Sequence, residues 1–205
     1  MLLYFLQGLT WGMSATATPG PFQAFLLAQT LQNGWKRTWP ASFAPLLSDG
    51  PIIALVLWVL VQTPAWLLNI LQVAGGLFIL YLVFEMLTSL QKGQPTLVAS
   101  TQASRQSFFK AVLMNALSPG PYLFWSIIAG PLVLQGWQQS PVTGLSFVVG
   151  FYLALIGGTI GVITLFATAS RFGPQASYLL KSVSALALLG FGVYQLWAGV
   201  VSLTT

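Results

Sequence analysis

The sequence predicts an all-α membrane protein of six transmembrane helices, arranged as a 3+3 inverted-topology repeat with helices 1 and 4 broken at Pro-Gly-Pro. Three observations carry this. Of 205 residues, 56% are hydrophobic and 4% charged, against roughly 25% charged in soluble domains. The seven basic residues cluster in alternate loops. A Pro-Gly-Pro motif occurs twice, 100 positions apart, at Pro19-Gly20-Pro21 and Pro119-Gly120-Pro121.

The composition excludes several classes. Nine charges cannot clothe a soluble surface, and disorder needs low hydrophobicity. With no cysteine and no histidine, disulfides and thiol chemistry are excluded, and zinc, haem and imidazole-base sites largely disappear. Neither a cofactor nor a resident metal is expected. Dispersed basic residues make no nucleic-acid patch; in a membrane protein they mark the cytoplasmic side.

A membrane helix needs about 20 mostly apolar residues. Six stretches qualify, at roughly 2–32, 41–62, 66–90, 108–134, 142–168 and 177–201. The first lacks a basic leader and is too long for a signal peptide. Lys36 and Arg37 follow span one; Lys92, Arg105 and Lys110 follow span three; Arg171 and Lys181 follow span five. The loops around Gln62-Thr63-Pro64 and Gln138-Gln139-Ser140 carry no base. The positive-inside rule therefore puts both termini outside the cytoplasm, in a multi-pass protein of the cytoplasmic (inner) membrane. Trp35, Trp39, Trp66 and Trp137 near span ends read as an aromatic belt.

The chain divides into a first three-helix repeat (1–95), a cytoplasmic linker (96–107, within the polar stretch Gln91 to Ser107) and a second, inverted repeat (108–205), all one membrane domain. Thr18-Pro19-Gly20-Pro21-Phe22 matches Ser118-Pro119-Gly120-Pro121-Tyr122. Leu31-Gln32-Asn33-Gly34-Trp35 matches Leu134-Gln135-Gly136-Trp137, and Pro40 matches Pro141. Three spans per half invert the second half, and Lys36-Arg37 give way to Gln138-Gln139 at the equivalent loop. Such inverted repeats are typical of secondary transporters, whose site lies at the midplane between the halves.

Proline removes a donor and clashes with the preceding turn, and glycine frees the chain, so each motif breaks its helix. Some 30 residues of straight helix would span about 45 Å, too long for a hydrocarbon core of roughly 30 Å. Broken backbone at that depth must be buried or line a wet cavity. With Pro21 and Pro121 opening new half-helices, the N–H groups of Phe22 and Gln23, and of Tyr122 and Leu123, are free to hold a carboxylate. Thr18 and Ser118 are candidates to cap those helices or bind substrate.

Asp49 and Glu85 are the only acids. Asp49, mid-span in Ser48-Asp49-Gly50-Pro51, costs about 2.5–3.5 kcal/mol to insert. Two roles suit it: binding a substrate ammonium or carrying a coupling proton. Glu85 reads as an interfacial residue near Lys92. Asn115, one turn before the second motif, is a candidate to satisfy freed backbone groups. Gln23, Ser126, Tyr152 and Thr159 are further candidates to line a cavity. Gly8/Gly12 and Gly157/Gly161 read as sites of close helix packing.

The sequence resembles the lysine exporter (LysE/RhtB) family of small amino-acid exporters. The resemblance rests on Gly8 and Gly12 ahead of Pro19-Gly20-Pro21, then Gly34, Asp49 in span two, and Asn115-Ala116-Leu117-Ser118-Pro119 opening span four. It spans nearly the whole chain. It implies efflux of amino acids or related small solutes driven by the proton gradient, and points to Pro19, Gly20, Pro21, Asp49 and Pro119 as site residues. Where the family commonly has Asn-Pro-Lys, this chain has Ser118-Pro119-Gly120, so no fixed cation is expected there. The expected partners are an amino acid-like solute, a proton and the bilayer, with a homodimer compatible with so small a bundle. The alternatives are a metal-ion exporter, for which one buried acid is a poor cage, and a membrane assembly partner. An intramembrane enzyme lacks the histidines or paired aspartates it would need.

Overall fold

The computed structural model describes residues 1–18, 20–59, 65–91, 101–169 and 174–204. Pro19, the Gln62-Thr63-Pro64 loop, Lys92, Arg171 and residues 96–100 of the linker lie outside the described residues, as do the side chains of Trp66 and Glu85. All regular structure among the described residues is helical: α1 (Leu2–Ala17), α2 (Pro21–Asn33), α3 (Trp35–Thr38), a 3-10 turn (Trp39–Phe43), α4 (Ala44–Val59), α5 (Ala65–Gln91), α6 (Thr101–Ala116), α7 (Pro119–Phe124), a π turn (Trp125–Ala129), α8 (Gly130–Gln139), α9 (Pro141–Ala169) and α10 (Pro174–Thr204).

Among the described residues, three stretches are long and apolar enough to cross a membrane: Trp35–Val56, Pro141–Ala169 and Tyr178–Ser202. A fourth appears if Ser104–Ala116 and Pro119–Gln139, bent 53° apart, count as one. Asn69–Phe84 is a shorter apolar helix. The expected linker is shorter than its polar composition suggests, because α6 already begins at Thr101 and Ser107 is fully buried.

Glycine sets the closest packing. A Cβ at Gly8 would lie 2.2 Å from the Phe147 carbonyl oxygen, and one at Gly12 2.3 Å from that of Phe151, so α1 and α9 touch backbone to backbone. Gly150 returns the contact, its Cβ position 2.4 Å from the Phe5 carbonyl oxygen. Gly157 and Gly161, with the same spacing, meet nothing within 4 Å. Their expected role in close packing is corrected: they face outward, and Gly150 and Gly158 take the inner face of α9. α5 and α10 pack by the same device, since a Cβ at Gly76 would reach Leu196 N at 2.8 Å.

The described residues form two buried apolar clusters. One joins Phe25 and Leu26 of α2, Ile79 of α5, Met114 of α6, Ile163 of α9 and Leu188 of α10. Its members Ala41 and Ala111 neighbour the segments that carry Lys36, Arg37 and Lys110. The other joins Ile52 and Val56 of α4, Trp125, Val133 of α8, and Phe147 and Phe151 of α9.

The matched segments of the two halves do not all adopt one structure. Gly34 ends α2 with φ 79°, its N–H bonding the Thr30 carbonyl at 2.9 Å, a conformation that favours glycine. Gly136 instead lies inside α8, close against Gly144 of α9, and the helix runs on to Gln139. Contact between helices, not turn geometry, selects glycine there.

Candidate functional site

The site starts at the two interruptions. α1 ends at Ala17, Thr18 and Gly20 are extended, and Pro21 opens α2. Proline at the first helical position has no donor to lose. The N–H groups of Phe22 and Gln23 follow it without intrahelical partners, while Ala24 N–H bonds the Gly20 carbonyl at 3.0 Å. In the second half the interruption falls at Leu117 and Ser118, and α7 opens at Pro119 rather than Pro121. Pro119 and Pro121 both lack N–H, so Gly120 supplies the single donor among the first three residues of α7. The second helix end is therefore a poorer anion cradle than expected.

Carbonyls orphaned at each interruption are met by side chains of the half-helix that follows and of α10. Gln23 Nε2 donates to the Ala15 carbonyl at 3.1 Å, whose helical partner would be the imino nitrogen of Pro19. Tyr122 Oη donates to the Ala116 carbonyl at 3.0 Å. From α10, the buried Gln195 donates to the Leu117 carbonyl at 3.4 Å. Thr18 and Ser118 cap nothing: their hydroxyls bond back to the carbonyls of Ser14 and Met114, both at 2.7 Å. This corrects the capping role expected of them. A hydroxyl four residues past a helix carbonyl reaches it without crossing the break, and the Ser14 carbonyl takes this bond beside that of the Thr18 N–H at 3.0 Å.

Asp49 stands on α4 and is 3% exposed. Asn115 Nδ2 donates to its Oδ1 at 2.6 Å and to Ser48 Oγ at 2.7 Å. Tyr152 Oη donates to Oδ2 at 3.1 Å, and Trp125 Nε1 reaches the same oxygen at 3.4 Å. All of these donors are neutral. A carboxylate accepts about four hydrogen bonds, and three donors leave room for one more. Asn115 was expected to serve freed backbone; it serves Asp49 instead. Pro51, inside α4, has no N–H to donate to the Leu47 carbonyl one turn before it.

Trp125 opens the π turn. Gly130 N–H bonds the Trp125 carbonyl five residues back, and Pro131 has no donor with which to tighten the next turn. The indole is 2% exposed. It packs edge-on against Phe151 at 5.8 Å, and Phe151 stacks on Phe124 at 4.9 Å.

These pieces line a partly open cavity of about 400 Å³, within the 300–1,000 Å³ range of small-molecule sites. Thr18, Gly20, Pro21, Phe22 and Gln23 of the first motif line it, as do Ser118, Gly120 and Pro121 of the second, with Asp49 and Asn115 between them. Tyr122 and Pro119 do not line it, and neither do Ser126, Tyr152 or Thr159; Thr159 is buried in α9, and Tyr152 acts through Asp49. Among the described residues, no lysine or arginine lines it. Among the described residues no group of three His, Cys, Asp or Glu could hold a metal ion.

The LysE type translocator profile matches residues 13–199, which takes in both interruptions and Asp49. The chain belongs to the LysE type translocator family. It is a membrane transporter, not an enzyme, and family membership points to export of amino acids or related solutes. No solved structure matches it. In this translocator, residues that sequence reasoning passed over complete the site: Ser48, Phe124, Trp125, Phe151 and Gln195. Trp125 carried a usable signal, a tryptophan at mid-span where an interfacial belt cannot be.

Proposed function

We propose that this translocator is a secondary exporter of small amino acids or related zwitterionic solutes across the cytoplasmic membrane. One observation carries the reading: a single cavity is lined by both Pro-Gly-Pro segments and by the buried Asp49. The solute carboxylate rests on the free N–H groups of Phe22 and Gln23, where the α2 dipole favours negative charge. Its ammonium takes the remaining acceptor site on Asp49, and Asp49 carries the coupling proton when the solute has left.

The reading takes the chain as six spans in a 3+3 inverted repeat, residues 1–95 and 108–205. Helix packing supports it. The broken helix of each half lies against the middle helix of the other, α1 on α9 and α6 on α4, while α5 packs on α10. Exchange of partners about a pseudo-two-fold axis makes that pattern. Rocking of the halves then opens the cavity past one apolar cluster or the other. α3, which carries Lys36 and Arg37, packs on α6, which carries Arg105 and Lys110; that end is the cytoplasmic one, and both termini lie outside.

Metal-ion export gains no support from a cavity with one acid, and an assembly role gains none from an aspartate turned inward onto three donors. The test is transport in proteoliposomes. Accumulation of an amino acid driven by an imposed pH gradient is expected, and its absence in folded protein would end the reading.

A further inference from the structure

Among the described residues, Asp49 is the one acidic or basic side chain that lines the cavity, and the other polar side chains have already committed their donor hydrogens. Thr18 and Ser118 spend their hydroxyl protons on helix carbonyls, Gln23 spends its amide on Ala15, and Asn115 spends its amide on Asp49 and Ser48. What remains is apolar: Phe22, Phe124, Trp125, Phe151 and Leu155 form the wall, and the rings of Phe124 and Phe151 are fixed by stacking at 4.9 Å and 21°.

We infer that this cavity selects amino acids with a large apolar side chain, branched or aromatic, and that Phe124 and Phe151 are the residues that read it. The inference rests on the proposed function, which supplies the ammonium at Asp49. A lysine-like solute would bring a second cation to a wall with one anion, and a glutamate-like solute a second anion to a wall with no cation. A charge left unpaired at membrane depth is strongly disfavoured. A serine-like side chain meets no uncommitted side-chain hydroxyl or amide donor, and the backbone N–H groups of Phe22 and Gln23 are taken by the solute carboxylate. A leucine or phenylalanine side chain removes its own apolar surface and that of fixed rings from water. A volume of about 400 Å³ leaves room for such a group.

The test is uptake of radiolabelled phenylalanine, leucine, serine, lysine and glutamate by proteoliposomes under one imposed pH gradient. Apolar pockets discriminate a single methylene about tenfold or more. Phenylalanine and leucine are therefore expected to move at least about tenfold faster than the other three. Phe124→Ala should bring that ratio below about threefold, and Phe124→Leu should retain most of it, since it keeps an apolar wall. If Phe124→Ala does not fold, the wild-type panel decides alone. Serine or lysine moving as fast as phenylalanine overturns the selectivity and leaves the exporter standing. No uptake of any of the five by folded protein overturns both.

Discussion

Gly8→Ala would place a methyl carbon 2.2 Å from the Phe147 carbonyl oxygen, where ordinary contact begins at 3.4 Å. That neighbour is backbone inside α9, so no side chain can swing away. α1 and α9 would have to part by roughly 1 Å, loosening the contacts at Gly12 and Gly150 as well. Alanine gains about 1 kcal/mol over glycine in intrinsic helix propensity. Overpacking typically costs about 1–3 kcal/mol, more where backbone must move. The net expectation is destabilisation of about 1–2 kcal/mol, and more for Gly8→Ala combined with Gly12→Ala. Gly157→Ala supplies the contrast: nothing lies within 4 Å of its Cβ position, so the propensity gain stands alone and stability should rise by up to about 1 kcal/mol. Thermal unfolding of the purified protein in one detergent compares the three variants with wild type. A Gly8→Ala protein that melts with or above wild type would refute the close packing of α1 on α9.

Gln23→Leu leaves the Ala15 carbonyl without its 3.1 Å donor; a melting-point loss equivalent to about 1–3 kcal/mol is expected, and an unchanged melt would remove Gln23 from the support of the break. Tyr152→Phe deletes one 3.1 Å donor to Asp49 and keeps the ring; transport should fall by a few-fold with a stability change of about 1 kcal/mol or less, measured by initial uptake rates. Asn115→Ala removes the 2.6 Å donor to Asp49 and the 2.7 Å donor to Ser48, which keeps its bond to the Ala44 carbonyl; uptake should drop at least about tenfold, and full activity would show that Asp49 needs no positioning from α6.

Backbone chemistry made much of this structure readable in advance. Proline without a donor and glycine without a Cβ interrupt a helix in any surroundings, so the stop at Ala17 and the restart at Pro21 follow from residues 18–21 alone. An aspartate at mid-span has to turn inward, and Asp49 does. What escaped was decided by neighbours far along the chain. Gly8/Gly12 and Gly157/Gly161 have identical spacing, but only the first pair faces another helix. Pro119 and Pro121 are both suited to open a helix, and the choice of Pro119 left one donor in place of two. The partners of Asp49 come from 66, 76 and 103 residues away, distances over which no local pattern speaks.

The central claim is that the cavity between the two interruptions is the transport site and that Asp49 is its working charge. Initial uptake of an amino acid into proteoliposomes under an imposed pH gradient, with wild type and Asp49→Asn side by side, tests it most directly. Asparagine keeps the shape and most of the hydrogen bonds, so both proteins should melt within a few degrees of each other. The wild type should accumulate solute when the gradient is imposed and stop when it is collapsed, and Asp49→Asn should show no gradient-driven uptake. Gradient-driven uptake by Asp49→Asn at the wild-type rate would contradict the claim.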